Sequence, residues 1–235
     1  MTTDGLTTYE LDGRIATITL DDGKVNALSI PMLRAVHAEL DQAERDNAVT
    51  VITGREGFLS AGFDLKVFAA GGEPVREMLV LGATLFERML GFKTPVVVAS
   101  PGHAMAAGAF LPLAADARVA AEGEFSICLN EVRIGLTMPW FAIELARQRL
   151  TRRDFDRAVV SAKMFTPSEA VTAGFFDRTV APQDLRAAAL EAAAELAELN
   201  AEAHATTKLR VRKGALAAMR LAIETELLGE EVTAG

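Results

Sequence analysis

Cysteine is nearly missing: Cys128 stands alone in 235 residues. That excludes an intrachain disulfide and a multi-cysteine zinc site. The three histidines, His37, His103 and His204, are scattered without the spacing of metal ligands. Positive charge is in deficit, since 24 Lys and Arg against 32 Asp and Glu leave a net charge of −8. Sequence-independent nucleic-acid binding, which is driven by phosphate neutralisation, is disfavoured by that balance. Residues Met1 to Leu11 carry Asp4 and Glu10 and lack a basic segment followed by an apolar one, so no secretion signal is expected there. Thr94 to Ala115 is uncharged and long enough to cross a bilayer, but Pro95, Pro101, Gly102, Gly108 and Pro112 break it. No G-x-G-x-x-G, G-x-x-x-x-G-K-[ST], G-x-S-x-G or H-E-x-x-H motif occurs. The expectation is a cytoplasmic, acidic, metal-free protein whose chemistry comes from carboxylates and backbone groups.

Half of the chain is hydrophobic and 24% is charged, the balance of a globular protein with a sizeable core. Residues 14–20 alternate as a strand, with Ala16, Ile18 and Leu20 on one face. Ser29 and Pro31 open an amphipathic helix through Leu33, Val36, Leu40 and Ala43. Strands are predicted at 49–53, 95–100 and 117–120, and a helix at 74–90 with Met78, Leu81, Leu85 and Met89 in register. The 95–100 run is apolar without alternation, as in a strand covered on both faces. Helices dominate afterwards, at 140–149, 153–161, 167–173, 185–199 and 205–228. The reading is an α/β core followed by a helical C-terminal extension.

Two turns rich in small residues follow buried strands: Phe58 to Lys66 and Pro101 to Ala109. Small residues let backbone N–H groups approach a ligand, and two such turns could aim two N–H groups at one oxygen. Tight strand–helix packing explains the same composition, and spacing alone favours that reading.

Several segments together resemble the crotonase superfamily, the enoyl-CoA hydratases and isomerases. They are Ile15–Leu20, Lys24–Leu28, Leu59–Leu65, Thr94–Val98, Gly102–Gly108, Asn130–Leu136 and Ala170–Phe175, in family order and spacing. The resemblance implies a spiral of ββα units over 1–180 holding the CoA and acyl site. It also implies a helical trimerisation region over 181–235, hence a homotrimer or hexamer. The substrate it implies is an acyl-CoA thioester, with coenzyme A arriving as part of the substrate and no separate cofactor.

Carried over by motif, the backbone N–H groups of Phe63 and Ala107 form an oxyanion hole, with Ala107 standing where the family usually has glycine. Glu131 matches the later catalytic glutamate, whereas Phe110 stands where hydratases carry a second one. A single carboxylate suffices to move a double bond, so the acid pattern resembles the Δ3,Δ2-enoyl-CoA isomerase branch. A hydratase with an unconventional second acid and a non-catalytic acyl-CoA binder remain the rivals. The implied substrate contacts are Lys24, Ala27, Ser60, Ala61, Gly62, Asp64, Leu65, Lys66, Phe110, Asn130 and Trp140. Cys128 reads as a structural thiol, His103 as structural, and Asp64 as a fixer of the first turn rather than an acid. Trp140, Phe141 and the Met78–Met89 face read as plain core or as the wall of an acyl tunnel. The run Lys208-Leu-Arg-Val-Arg-Lys213 reads equally as a CoA phosphate contact or a solvated helix face.

Overall fold

A computed structural model describes residues 5–229. Its repeating unit is a strand in a long sheet, a shorter strand in a second sheet, and a helix. The hairpin of β1 (Thr7–Asp12) and β2 (Ile15–Leu20) opens the chain, followed by β3 (Ala27–Leu28) and α1 (Ile30–Arg45). The next turn runs through β4 (Val49–Thr53), β5 (Gly57–Ser60) and β6 (Gly62–Phe63) to α2 (Leu65–Ala70) and α3 (Glu73–Leu90). Then come β7 (Val96–Ser100), β8 (Gly102–Met105) and α4 (Ala107–Ala114), and after them β9 (Ala117–Ala121) and β10 (Ile127–Cys128). Helices α5 (Trp140–Arg149), α6 (Arg152–Val159) and α7 (Pro167–Ala173) lead to β11 (Arg178–Val180), α8 (Leu185–Ala197) and α9 (Ala201–Ala222).

The long sheet has the order β1-β2-β4-β7-β9-β11, the second β10-β8-β5, and β3 pairs with β6. Every pairing but β1 with β2 is parallel. Helices on the crossovers give the right spacing for parallel neighbours. This is the expected spiral of ββα units with helices after it.

Side-chain alternation explains the two-faced burial of the long sheet. Val96 and Val98 of β7 enter the main core with Ile52 and Phe86. Val97 and Ala99 point the other way, join Val49, Val51 and Val119, and are covered by Leu185, Ala189 and Ala193 of α8. A period of two on a sheet with helices on both faces yields the unbroken apolar run read from the sequence. Ser29 caps α1, its side chain accepting the Met32 N–H, and α1 buries Leu33, Val36, Leu40 and Ala43 as its periodicity requires. On α3 the expected Leu81 is only partly buried, and Gly82 and Phe86 occupy the core stripe instead. The strands β1, β3, β5, β6, β8, β10 and β11 do not follow from local pattern. Several are two to four residues long and rich in glycine and alanine, so only their neighbours make them strands. Helix α9 starts earlier than its apolar pattern, at the Asn200 cap, whose side chain accepts the Ala203 N–H at 2.9 Å. Among the described residues no helix is long and apolar enough to cross a membrane.

The basic run of α9 has a role that corrects the phosphate reading for half of its charges. Lys208 and Arg212, one helical turn apart, are buried and pair with Asp116 at 2.6 and 2.8 Å. The Lys208 ammonium also donates to the carbonyls of Phe92 and Thr94, and Arg212 donates to that of Leu90. Asp116 in turn accepts the Val96 N–H at 2.7 Å. Together they clip the end of α3, the start of β7 and the α4–β9 connection to α9. Arg210 and Lys213 of the same run stay exposed. Removing one member of a buried ion cluster strands the other charges, so Asp116→Ala is expected to lower unfolding free energy by about 3–5 kcal/mol in chemical denaturation.

Candidate active site

The first small-residue turn is built on a buried asparagine. Asn26 adopts a positive φ of 52°, a conformation that asparagine tolerates better than most residues. Its side-chain amide donates to the carbonyls of Leu20, Phe58 and Leu59. The Asp22 carboxylate accepts the N–H groups of Lys24, Asn26 and Ala27 and holds the loop before it. Ser60 donates its hydroxyl to the Asn26 carbonyl at 2.6 Å and accepts the Gly62 N–H at 3.1 Å. Asp64 then caps α2 by accepting the Lys66 N–H at 2.9 Å, the structural role expected for it. Asn26 belonged to a matched segment but was not among the expected contacts. Its signal was a polar residue placed to be wholly buried, which only the fold reveals.

The second turn meets the first through two glycines. A Cβ at Gly62 would lie 2.8 Å from the Ala106 Cβ and 3.0 Å from the Ala107 nitrogen. One at Gly108 would lie 2.2 Å from the Ser60 carbonyl oxygen. The backbone of residues 60–63 therefore lies directly against that of 106–108. Ala107 is the first residue of α4, and its φ is not positive, so its N–H stands at a helix N-terminus. The strain falls one residue earlier. Ala106 takes φ 47° and ψ −127°, a region disfavoured for any residue with a Cβ. Its N–H donates to the Cys128 carbonyl at 2.9 Å, tying this turn to the strand that precedes Glu131.

A cavity of about 170 Å³ lies beside these turns. Ala61, Phe63, Leu65, Phe68, Leu79, Ala106 and Phe110 form much of its wall, with Asn130, Glu131, Ile134, Leu136, Thr137 and Pro139 closing it. Glu131 is the one ionisable side chain among these lining residues. It precedes a single 3-10 turn, Val132–Ile134, and its own carbonyl accepts the Ile134 and Leu136 N–H groups, which fixes the loop. The side chain is 7% exposed and its Oε2 has no hydrogen-bond partner in the protein. Burial among apolar neighbours disfavours the charged form and pushes the Glu131 pKa up to about 7. Asn130 Oδ1 is likewise buried and unpartnered. Phe110 is 1% exposed and held edge-on against Phe86 and Phe141, at centroid distances of 5.4 and 6.1 Å.

Of the expected contacts, the structure brings Ala61, Phe63, Leu65, Phe110, Asn130 and Glu131 to the cavity wall. Ser60, Gly62 and Asp64 shape the turn behind it. Lys24, Ala27 and Lys66 do not line the cavity, and Trp140 stands outside it with 68% of its surface exposed. Trp140 begins α5, and its backbone N–H donates to Glu226 at 2.8 Å. Phe141, Met78 and Met89 are fully buried core, not tunnel wall. His103 accepts the Ser126 N–H through Nδ1 and packs between Phe58 and Phe125, a structural position. Cys128 is fully buried, and desolvation pushes its thiol up to about 11, far from a nucleophile.

Two stability effects follow. A carboxylic acid whose folded pKa lies above its unfolded value stabilises the fold below the unfolded pKa and loses that contribution as pH rises through the folded one. For Glu131 the window is from 4.5 to about 7. Glu131→Gln is therefore expected to match the wild type near pH 4.5 and to exceed it by on the order of 3 kcal/mol at pH 8, in denaturant titrations at both values. Ala106→Gly is expected to raise stability by about 1 kcal/mol in thermal unfolding, since relief of strain outweighs the added chain entropy of glycine.

Known proteins share this fold. The chain matches the enoyl-CoA hydratase/isomerase family over residues 10–230. The crystal structure of an enoyl-CoA hydratase/isomerase family protein from Pseudomonas syringae is 48% identical and superposes with a TM-score of 0.94, over 97% of this chain and 99% of that one. That of an enoyl-CoA hydratase from Mycobacterium marinum is 43% identical, with a TM-score of 0.92 over 96% and 99%. Human mitochondrial enoyl-CoA delta isomerase 1 is 27% identical over 205 residues, which is 85% of this chain and 68% of that protein. Fold, paired turns and family match agree: the protein is a crotonase-superfamily enzyme of the enoyl-CoA hydratase/isomerase family.

Proposed function

We propose that this enzyme moves a double bond in a fatty enoyl-CoA thioester from C3 to C2, in acyl-CoA metabolism. One observation carries the reading: a single carboxylate, Glu131, lies buried among the residues lining an apolar cavity, whose wall also holds Phe110, the residue that by motif resemblance stands where hydratases carry a second acid. The thioester oxygen accepts hydrogen bonds from the N–H groups of Phe63 and Ala107. Ionised Glu131 takes a proton from C2, the electrons move onto the thioester oxygen as a dienolate, and the same carboxyl returns the proton at C4. The new double bond then lies between C2 and C3, and Glu131 is again ionised. A pKa near 7 suits this shuttle, because the group must both accept and donate at neutral pH. The N–H of Ala107 gains from its place at a helix N-terminus, where negative charge is favoured. Hydration is the weaker reading, since the Phe110 ring neither accepts nor donates a proton to a water. Coenzyme A enters only as part of the substrate, and the C-terminal helices are proposed to build a trimer or hexamer.

Side-by-side assays of 3-enoyl-CoA and 2-enoyl-CoA test this. The expected result is isomerisation with kcat/KM rising as pH passes about 7, and a loss of about a hundredfold or more in Glu131→Gln. Strong hydration by the unmodified protein, or a Glu131→Gln rate within about threefold of wild type, overturns it. Binding of both thioesters without turnover would assign the chain as a carrier instead. Phe110→Glu is expected to add measurable hydration.

A further inference from the structure

Helix α3 carries a buried glycine in its interior, Gly82, where alanine would favour the helix. A Cβ at that position would lie 2.4 Å from both Cε1 and Cζ of Phe63. No side-chain carbon sits that close to another, so the edge of the Phe63 ring occupies a notch in α3 that only glycine leaves open. The same ring lines the cavity and meets Phe68 edge-on at 6.3 Å. One helical turn further, Phe86 props Phe110 at 5.4 Å. Residues 82 and 86 lie on one helix face, and through them α3 sets the position of two phenyl walls of the cavity.

We infer that Gly82 is a specificity-determining residue, fixing how much of the cavity stays open to the acyl tail by taking in the Phe63 ring. The inference rests on the proposed acyl-CoA reading. Met78, Leu85, Phe86 and Met89 of α3 are fully buried, so the helix cannot retreat from an added methyl. The Phe63 ring, the free end of a side chain facing open space, is what yields. Pushed off the notch, the ring moves toward the cavity of about 170 Å³ that it already lines and takes up part of its volume. The thioester end, held by backbone groups, is affected less than the tail. The loss therefore grows with acyl length.

The test measures binding of butyryl-CoA and decanoyl-CoA by calorimetry for the wild type, Gly82→Ala, Phe63→Leu and the double variant. Turnover of 3-enoyl-CoAs of both lengths is measured in parallel. Gly82→Ala is expected to weaken decanoyl-CoA by about tenfold or more while changing butyryl-CoA by less than about threefold. In the Phe63→Leu background, where the shorter side chain no longer reaches the notch, the same substitution is expected to change neither by more than about twofold. A loss equal at both lengths, no loss, or the same length-dependent loss in the Phe63→Leu background overturns the inference. If Gly82→Ala does not fold, the comparison of the double variant with Phe63→Leu decides alone, and a double variant that also fails to fold overturns it. Wild-type binding without isomerisation sinks the proposed reaction but leaves the length comparison intact. Failure of the wild type to bind either acyl-CoA overturns both.

Discussion

The backbone of residues 60–63 lies directly against that of residues 106–108, and most of the site follows from that contact. Neither turn tolerates a side chain at the point of approach: Gly62 faces Ala106 and Ala107, and Gly108 faces the Ser60 carbonyl. Because main chain touches main chain, the approach of these two distant segments does not depend on any rotamer. Each turn is in turn anchored by buried polar groups. Asn26 and Ser60 hold the first, and the Cys128 carbonyl holds the second. That last hydrogen bond also places Glu131, three residues beyond Cys128, at a set distance along the chain from the proposed oxyanion donors. The strain accepted at Ala106 belongs to this arrangement, since a disfavoured conformation persists only where its surroundings over-determine it.

Around this contact the protein arranges a local absence of polarity. Among the acidic side chains of the described residues, Glu131 is the one that lines the cavity, and its Oε2 is left there without a hydrogen-bond partner. A carboxyl group so placed loses its hydration, and the one backbone hydrogen bond that favours its charge does not make up for it, which moves its proton affinity to neutrality. The cost to stability and the proposed fitness for proton transfer have one physical cause. Asp116 is the opposite case: it is equally buried but ringed by Lys208 and Arg212, and it serves to join the C-terminal helix to the core. Partners rather than burial separate the two roles.

Short motifs and tertiary structure carry different information about the site. Glu131, Phe63 and Phe110, each named from a short motif, line the cavity, and each sits in a segment that is locally recognisable. Other motif-flanking residues lie elsewhere. Lys24 and Lys66 flank matched segments yet lie away from the cavity, and Trp140 points to solvent beside the wall residue Pro139. Adjacency in sequence carries no information about which side of a loop faces inward.

Composition and pattern alone determined the exclusion of disulfide and cysteine–zinc chemistry, the positions of the longer helices and strands, and the two-sided covering of β7. These properties are local or statistical, and periodicity reports them directly. The two- to four-residue strands were invisible because only pairing makes them strands. The fate of Lys208 and Arg212 was open, since a basic run on a helix reads alike whether it meets water, phosphate or a buried aspartate. Tertiary structure decided that, and it decided the proton affinity of Glu131 and the notch at Gly82. All three depend on what a distant segment places within a few ångströms, and no local pattern encodes that distance.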